Sequence, residues 1–131
     1  MYDIDPSRSE PLFQQIVAAV KRDVATGRLR PGDRLPTVRE SALDLVVNPN
    51  TIAKAYRVLE AEGVTVSRRG AGTFIAPHRP TTSRRERVRA FREALDEALA
   101  DAVHRGLTRA EAERAIESAL KRFRFGSEEK P

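Results

Sequence analysis

Between Thr37 and Gly63 the chain reads TVRESALDLVVNPNTIAKAYRVLEAEG, a stretch punctuated so tightly that it admits few folds. Thr37 with Glu40 three positions on is a capping-box pattern, and Val38, Ala42 and Leu45 continue as the buried side of a short helix. After a break at Val46 and Val47, Asn48 can cap a new helix, with Pro49 at the first position where an amide would lack a partner anyway. That helix is expected to run to about Glu62 and to stop at Gly63. The pair has helix-turn-helix spacing: small Ala42 suits a close crossing, and Leu45, Val47, Ile52 and Ala55 supply apolar contacts between the two helices.

In the second of these helices Ile52, Ala55, Tyr56 and Leu59 fall on one side, while Asn50, Thr51, Lys54 and Arg57 project largely from another. One side packs and the other is free to bind. Unpaired amides and the positive end of the helix dipole make an N-terminus attractive to anions, and short side chains there let a phosphate or base edge come close. A recognition helix needs this at its tip in the major groove. The alternative, that Asn48 and Pro49 merely cap a core helix, accounts for the cap but not for the two-helix spacing or the hairpin that follows.

The flanks complete the pattern. Ser9 and Pro11 are expected to start a helix, capped by Ser9, whose stripe of Leu12, Ile16, Val20 and Val24, with Phe13 and Val17 beside it, ends at Gly27. The segment LRPGDRLP, residues 29–36, reads as an extended connector. Val64-Thr65-Val66 and Thr73-Phe74-Ile75 read as strands around a turn at Arg68-Arg69-Gly70-Ala71-Gly72, a small hairpin whose two cations suit a basic wing. Pro77 and Pro80 mark a linker. A long charged helix is then expected from about Ser83 to Arg105, with Val88, Phe91, Leu95, Leu99 and Val103 along one face. Gly106 closes it, Thr108 and Glu111 form a second capping box, and Ala112, Ile116, Leu120 and Phe123 stripe a last helix. The expected fold is mainly α with a small β-hairpin wing: a winged helix-turn-helix domain over residues 9–77, a two-helix dimerisation domain over 78–125 and a disordered tail over 126–131.

Composition excludes more than it identifies. With 24 Lys and Arg against 19 Asp and Glu in 131 residues, the modest positive excess permits a polyanionic partner without requiring one. There is no cysteine, which removes disulfides, thiolate metal sites and a cysteine nucleophile; the two histidines, His78 and His104, lie far apart. No carboxylate cluster at metal-ligand spacing, no Ser-His-Asp set and no phosphate loop with Lys is visible, Asp3 and Asp5 are expected in a flexible start, and no cofactor is called for. No apolar run approaches the ~18 residues of a membrane span, and the opening MYDIDPSRSEP is acidic and polar where a signal peptide would be basic and then apolar. A cytoplasmic protein without a membrane partner is expected.

From PLFQQI through GRLRPGDRLPTVRE and NPNTIAKAYRVLEAEGV to SRRGAGTF, residues 11–75, the chain resembles the GntR family of winged-helix transcription regulators, and the two-helix tail resembles its YtrA subfamily. The resemblance implies double-stranded DNA as partner, a tail that serves dimerisation, and repression by promoter occupancy. It assigns DNA contacts to Arg39 on the second helix, to Asn48, Pro49, Asn50 and Thr51 at the recognition tip, and to Arg69 and Gly70 in the wing. Charge and placement add Arg34, Lys54, Arg57, Arg68 and Thr73. Asn50 and Arg39 would then read base edges, Thr51 and Lys54 fix the phosphate register, and Arg69 with Gly70 reach the minor groove. The expected dimer interface is Val88, Phe91, Leu95, Leu99, Val103, Ile116, Leu120 and Phe123, the alternative being a hairpin of the two tail helices packed on its own winged domain. No effector is evident. A non-specific architectural DNA-binding protein is the alternative to a sequence-specific regulator.

The chain departs from the family pattern at Ser41, where leucine is usual, at Leu43, where a small residue is usual, and at Val46, where the turn usually has glycine. Ser41 would remove apolar volume, with Leu43 as the neighbour able to compensate. Val46 is strained if the usual turn persists; otherwise the turn differs.

Overall fold

The computed structural model describes residues 2–77 and 82–126. In order these form α1 (Leu12–Ala25), α2 (Val38–Leu45), α3 (Pro49–Ala61), β1 (Thr65–Arg68), β2 (Gly72–Ile75), α4 (Arg84–His104) and α5 (Arg109–Arg122). Two compact units result, the first containing α1 to β2 and the second α4 and α5. Pro80 of the expected linker, His78, and residues 127–131 of the expected tail lie outside the described residues.

The caps read from sequence set most helix ends. The Thr37 hydroxyl accepts the Glu40 amide at 3.0 Å while the Glu40 carboxylate accepts the Thr37 amide at 3.4 Å. Asn48 Oδ1 accepts the Asn50 amide at 2.8 Å, with Pro49 opening α3. The α1 start departs from expectation: Pro11, not Ser9, is the cap residue, and no side-chain cap bond forms. Buried Gln15 fastens the preceding segment instead. Its amide nitrogen donates to the carbonyls of Glu10 at 2.8 Å and Asp5 at 3.0 Å, and its Oε1 accepts the Asp5 amide at 2.7 Å.

The first unit is organised around α3. Its apolar face, Ile52, Ala55, Tyr56 and Leu59, packs against α1, α2 and β1, and Ile16, Val20, Leu35 and Ile75 close the core. Tyr2 is buried in this core too, so the expected flexible start is corrected: the polypeptide is held down well before residue 9. The hairpin pairs Thr65 with Ile75 and Arg68 with Gly72. The expected connector at 29–36 does more than connect, because Leu35 donates to the Thr73 carbonyl and Ile75 donates to the Asp33 carbonyl, each at 2.8 Å, around a bridge between Arg34 and Phe74. Strand β2 is therefore held from both sides.

All three departures resolve clearly. Ser41 is fully buried and its hydroxyl lies 3.1 Å from the Tyr56 hydroxyl, so the lost apolar volume is replaced by a polar contact. Leu43 does not compensate, since it is 75% exposed. Val46 keeps the left-handed turn at φ 54 and ψ 53, the one positive φ outside glycine among the described residues.

In the second unit Ser83 caps α4, accepting the Glu86 amide at 3.2 Å. Thr108 and Glu111 form their capping box at 3.1 and 2.9 Å, and donation from the Thr108 amide, with its hydroxyl, to the Glu111 carboxylate holds that carboxyl below its ordinary range. The two helices do not pack along each other as a hairpin.

Two stability changes follow. The left-handed region costs a non-glycine residue ~1–2 kcal/mol, more than the ~0.5–1 kcal/mol that glycine loses through unfolded-chain entropy. Because the Val46 side chain is 90% exposed and buries little, Val46→Gly is expected to stabilise the first unit, with a higher urea midpoint at unchanged m-value. The Thr65 hydroxyl is buried without a hydrogen-bond partner among the described residues. Thr65→Val keeps the shape and removes the unsatisfied group, so the same measurement is expected to show a gain of about 1 kcal/mol.

Candidate nucleic-acid interface

The tip of α3 is built for close approach. Asn48, Pro49 and Asn50 are exposed and Thr51 is half-buried, and no acidic residue stands in the first turn of the helix. Asn48 satisfies the Asn50 amide, which leaves the Asn50 side chain outside the cap. Behind the tip, Ile52 and Ala55 are wholly buried, so the core fixes the axis along which the tip points.

The expected cations divide into free and supported ones. Arg39, Arg57 and Arg69 are exposed and form no ion pair or hydrogen bond among the described residues. Glu40, the neighbour of Arg39, is engaged in the α2 capping box rather than in an ion pair with it. Lys54, by contrast, places its ammonium 4.1 Å from the centre of the Phe13 ring, beside the start of α1. This cation–π contact restricts a long side chain that would otherwise sweep a large volume. The Arg68 guanidinium lies 5.4 Å from the centre of the Phe74 ring.

Arg34 joins the wing rather than standing apart from it. Gly72 has φ 121, so the backbone requires glycine there, and the Arg34 side chain lies over it, with Nε 2.9 Å from where a Cβ would sit. Arg34 and Arg68 thus flank β2, whereas Arg69 and Gly70 occupy the exposed turn, with Gly70 at φ 77 and the Ala71 amide bonded to the Arg68 carbonyl at 2.9 Å. Thr73 is half-buried and its carbonyl is taken by Leu35. The wing is tied to α3 through Glu60, whose carboxylate accepts the Ser67 amide at 3.2 Å. The contacts that Phe13, Phe74, Gly72 and Glu60 make with the candidate site escaped the sequence reading: nothing in a helix stripe or turn triplet announces which distant cation or amide it will meet.

The second unit carries the expected apolar residues outward. No residue of α4 or α5 is buried. Phe91 is 64% and Val103 74% exposed; Val88, Leu99, Ile116 and Leu120 are also exposed, while Leu95 and Phe123 are half-buried. Among the described residues no group of His, Asp or Glu side chains could hold a metal ion, and no helix is long and apolar enough to cross a membrane.

Comparison with known proteins matches this geometry to a family. Residues 12–75 fit the description of the bacterial regulatory proteins of the gntR family. The chain is 39% identical over 107 residues to the HTH-type transcriptional repressor YtrA of Bacillus subtilis, covering 82% of each protein. Its fold is similar to a crystal structure of a transcriptional antiterminator from Listeria monocytogenes, with a TM-score of 0.77 at 32% identity over 99% of this chain and 98% of that one. The DNA-binding domain of AraR, solved in complex with operator ORX1, matches 56% of this chain and 92% of its own length, at 28% identity and a TM-score of 0.51. With its winged helix-turn-helix unit and its likeness to YtrA over most of both chains, this chain belongs to the gntR family of bacterial regulatory proteins and is a DNA-binding transcriptional regulator, not an enzyme.

Proposed function

We propose that the chain is a cytoplasmic repressor that binds an inverted-repeat operator as a homodimer. The observation that carries the dimer is the second unit, where two apolar stripes occur on helices with no buried residue. Two copies brought together would cover Val88, Phe91, Leu95, Leu99 and Val103 of α4 with Ile116, Leu120 and Phe123 of α5. Residues 9–77 then act as the DNA-binding domain, completed by the segment from Tyr2, and residues 78–125 act as the dimerisation domain. Two-fold symmetry would set two recognition helices one DNA turn apart or a multiple of it, which is the reason to expect an inverted repeat. Repression is supported by the described role of the YtrA relative.

In this reading Asn50 and Arg39 read base edges from the tip of α3 and from α2. Asn48, Pro49 and Thr51 let the backbone approach, and Thr51, Lys54 and Arg57 meet phosphates. Arg69 and Gly70 enter the minor groove, with Arg34, Arg68 and Thr73 supporting the wing's contacts. An architectural binder would share the phosphate contacts but lack base readout.

Selection from a randomised duplex pool at near-physiological salt is expected to enrich an inverted repeat; a featureless pool at every salt concentration would favour the architectural binder. Asn50→Ala is expected to relax selectivity at its base by about 1–3 kcal/mol in competition binding. Arg57→Ala should weaken operator and random DNA alike and make the slope of log affinity against log salt shallower by about 1. Phe91→Glu combined with Leu95→Glu is expected to sediment as a monomer and to bind the operator about a hundredfold more weakly. A dimer that survives this double change would remove α4 from the interface.

A further inference from the structure

We propose that Tyr2 is a positioning residue for DNA recognition, acting through the hydroxyl of Tyr56 to fix α3 against α2. The inference rests on the DNA-reading role of α3 given above. It concerns residues that touch no DNA in that reading.

The geometry assigns the protons. Tyr56 Oη lies 2.7 Å from the Pro36 carbonyl, which can only accept, so the Tyr56 proton goes there. Tyr2 Oη lies 2.6 Å from Tyr56 Oη, and with the Tyr56 proton already engaged, Tyr2 must be the donor. The Ser41 hydroxyl, 3.1 Å from the same oxygen, approaches it as a donor for the same reason. One phenol oxygen therefore connects four pieces of chain: the opening segment, the residue before the Thr37 cap of α2, the body of α2, and α3 itself. Burial raises the affinity of both phenols for their protons, which keeps this set neutral.

The arrangement matters because the other contacts between α2 and α3 come from small or half-buried apolar side chains, Val38 among them. The residues of α2 that are buried, Ser41 and Ala42, are both small; Leu45 and Val47 are half-buried; and the connecting Val46 sits in a left-handed conformation. Small apolar contacts permit sliding, whereas hydrogen bonds are directional. Pro36 and Ser41 bracket the first turn of α2, so two bonds from one α3 oxygen constrain its rotation as well as its distance. Tyr2 is the third bond on that oxygen and the one that comes from outside the helix pair. A change in this angle would move Arg39 on α2 relative to Asn50 on α3, and base readout would weaken while phosphate attraction would not.

The test uses the full chain, the inverted-repeat duplex enriched by the unaltered protein, and a random duplex of equal length, at a temperature where circular dichroism shows each variant fully folded. Tyr2→Phe keeps the ring and removes the hydroxyl. It is expected to weaken binding to the enriched duplex about threefold to tenfold, leave random-duplex affinity and the salt slope unchanged, and be strongly non-additive with Tyr56→Phe. Ser41→Ala, which keeps both tyrosine hydroxyls and removes the Ser41 bond to the same oxygen, should move the same ratio in the same direction and serves alone if Tyr2→Phe fails to fold. A lower melting temperature with an unchanged ratio of the two affinities would overturn the proposal and leave Tyr2 a packing residue. If the unaltered protein enriches no duplex, the DNA-reading role of α3 fails before any variant is made.

Discussion

The first unit depends on the burial of one face of α3. Ile52, Ala55 and Leu59 are fully removed from solvent against α1 and the residues around β1. Each large aliphatic side chain so buried contributes roughly 1.5–3 kcal/mol, far more than a surface ion pair such as Lys21–Glu62 at 2.6 Å. The same helix offers Asn50, Lys54 and Arg57 on its remaining surface, so the force that folds the unit also aims the proposed recognition surface. Such a helix cannot shift to improve a DNA contact without opening the core, which gives the tip its rigidity.

Around that fixed helix, α2 is held in a different way. It has only eight residues, and the side chains it buries are small. A capping box stabilises one end, and a left-handed valine turns the chain at the other. What would be apolar interdigitation in a larger helix pair is here partly replaced by hydroxyl groups. A buried polar group without a partner is costly, so the replacement works only because Ser41, Tyr56, Pro36 and Tyr2 are mutually satisfied. The wing follows similar logic. A two-stranded hairpin is marginal alone, and here β2 gains support from residues 33–35 on its free side while β1 is tied to α3 through Glu60.

The second unit shows helices supported mostly by local terms. Caps at Ser83 and Thr108 and the ion pairs Asp101–Arg105 and Arg109–Glu113 are all contacts within one or two turns. Each contributes little, and none of them covers the apolar stripes. Such helices gain most from packing against another surface, and in this unit Phe91 and Val103 stand exposed.

Local chemistry made much of this legible in the sequence. The capping boxes at Thr37 and Thr108, the Asn48-Pro49 start and the glycines at 27, 63 and 106 located helix ends because each acts over three or four residues. The tension between Val46 and its turn was also visible, since φ preference belongs to the residue itself. Only the tertiary structure decided that Tyr2 meets Tyr56 54 positions away, that Gln15 replaces Ser9 in holding the start of α1, that Lys54 rests on Phe13, and that residues 33–35 pair with β2. Ser41 illustrates the division most directly. Its sequence position indicated a deficit in the core, but a hydroxyl becomes an asset or a liability only through the partner that folding brings to it.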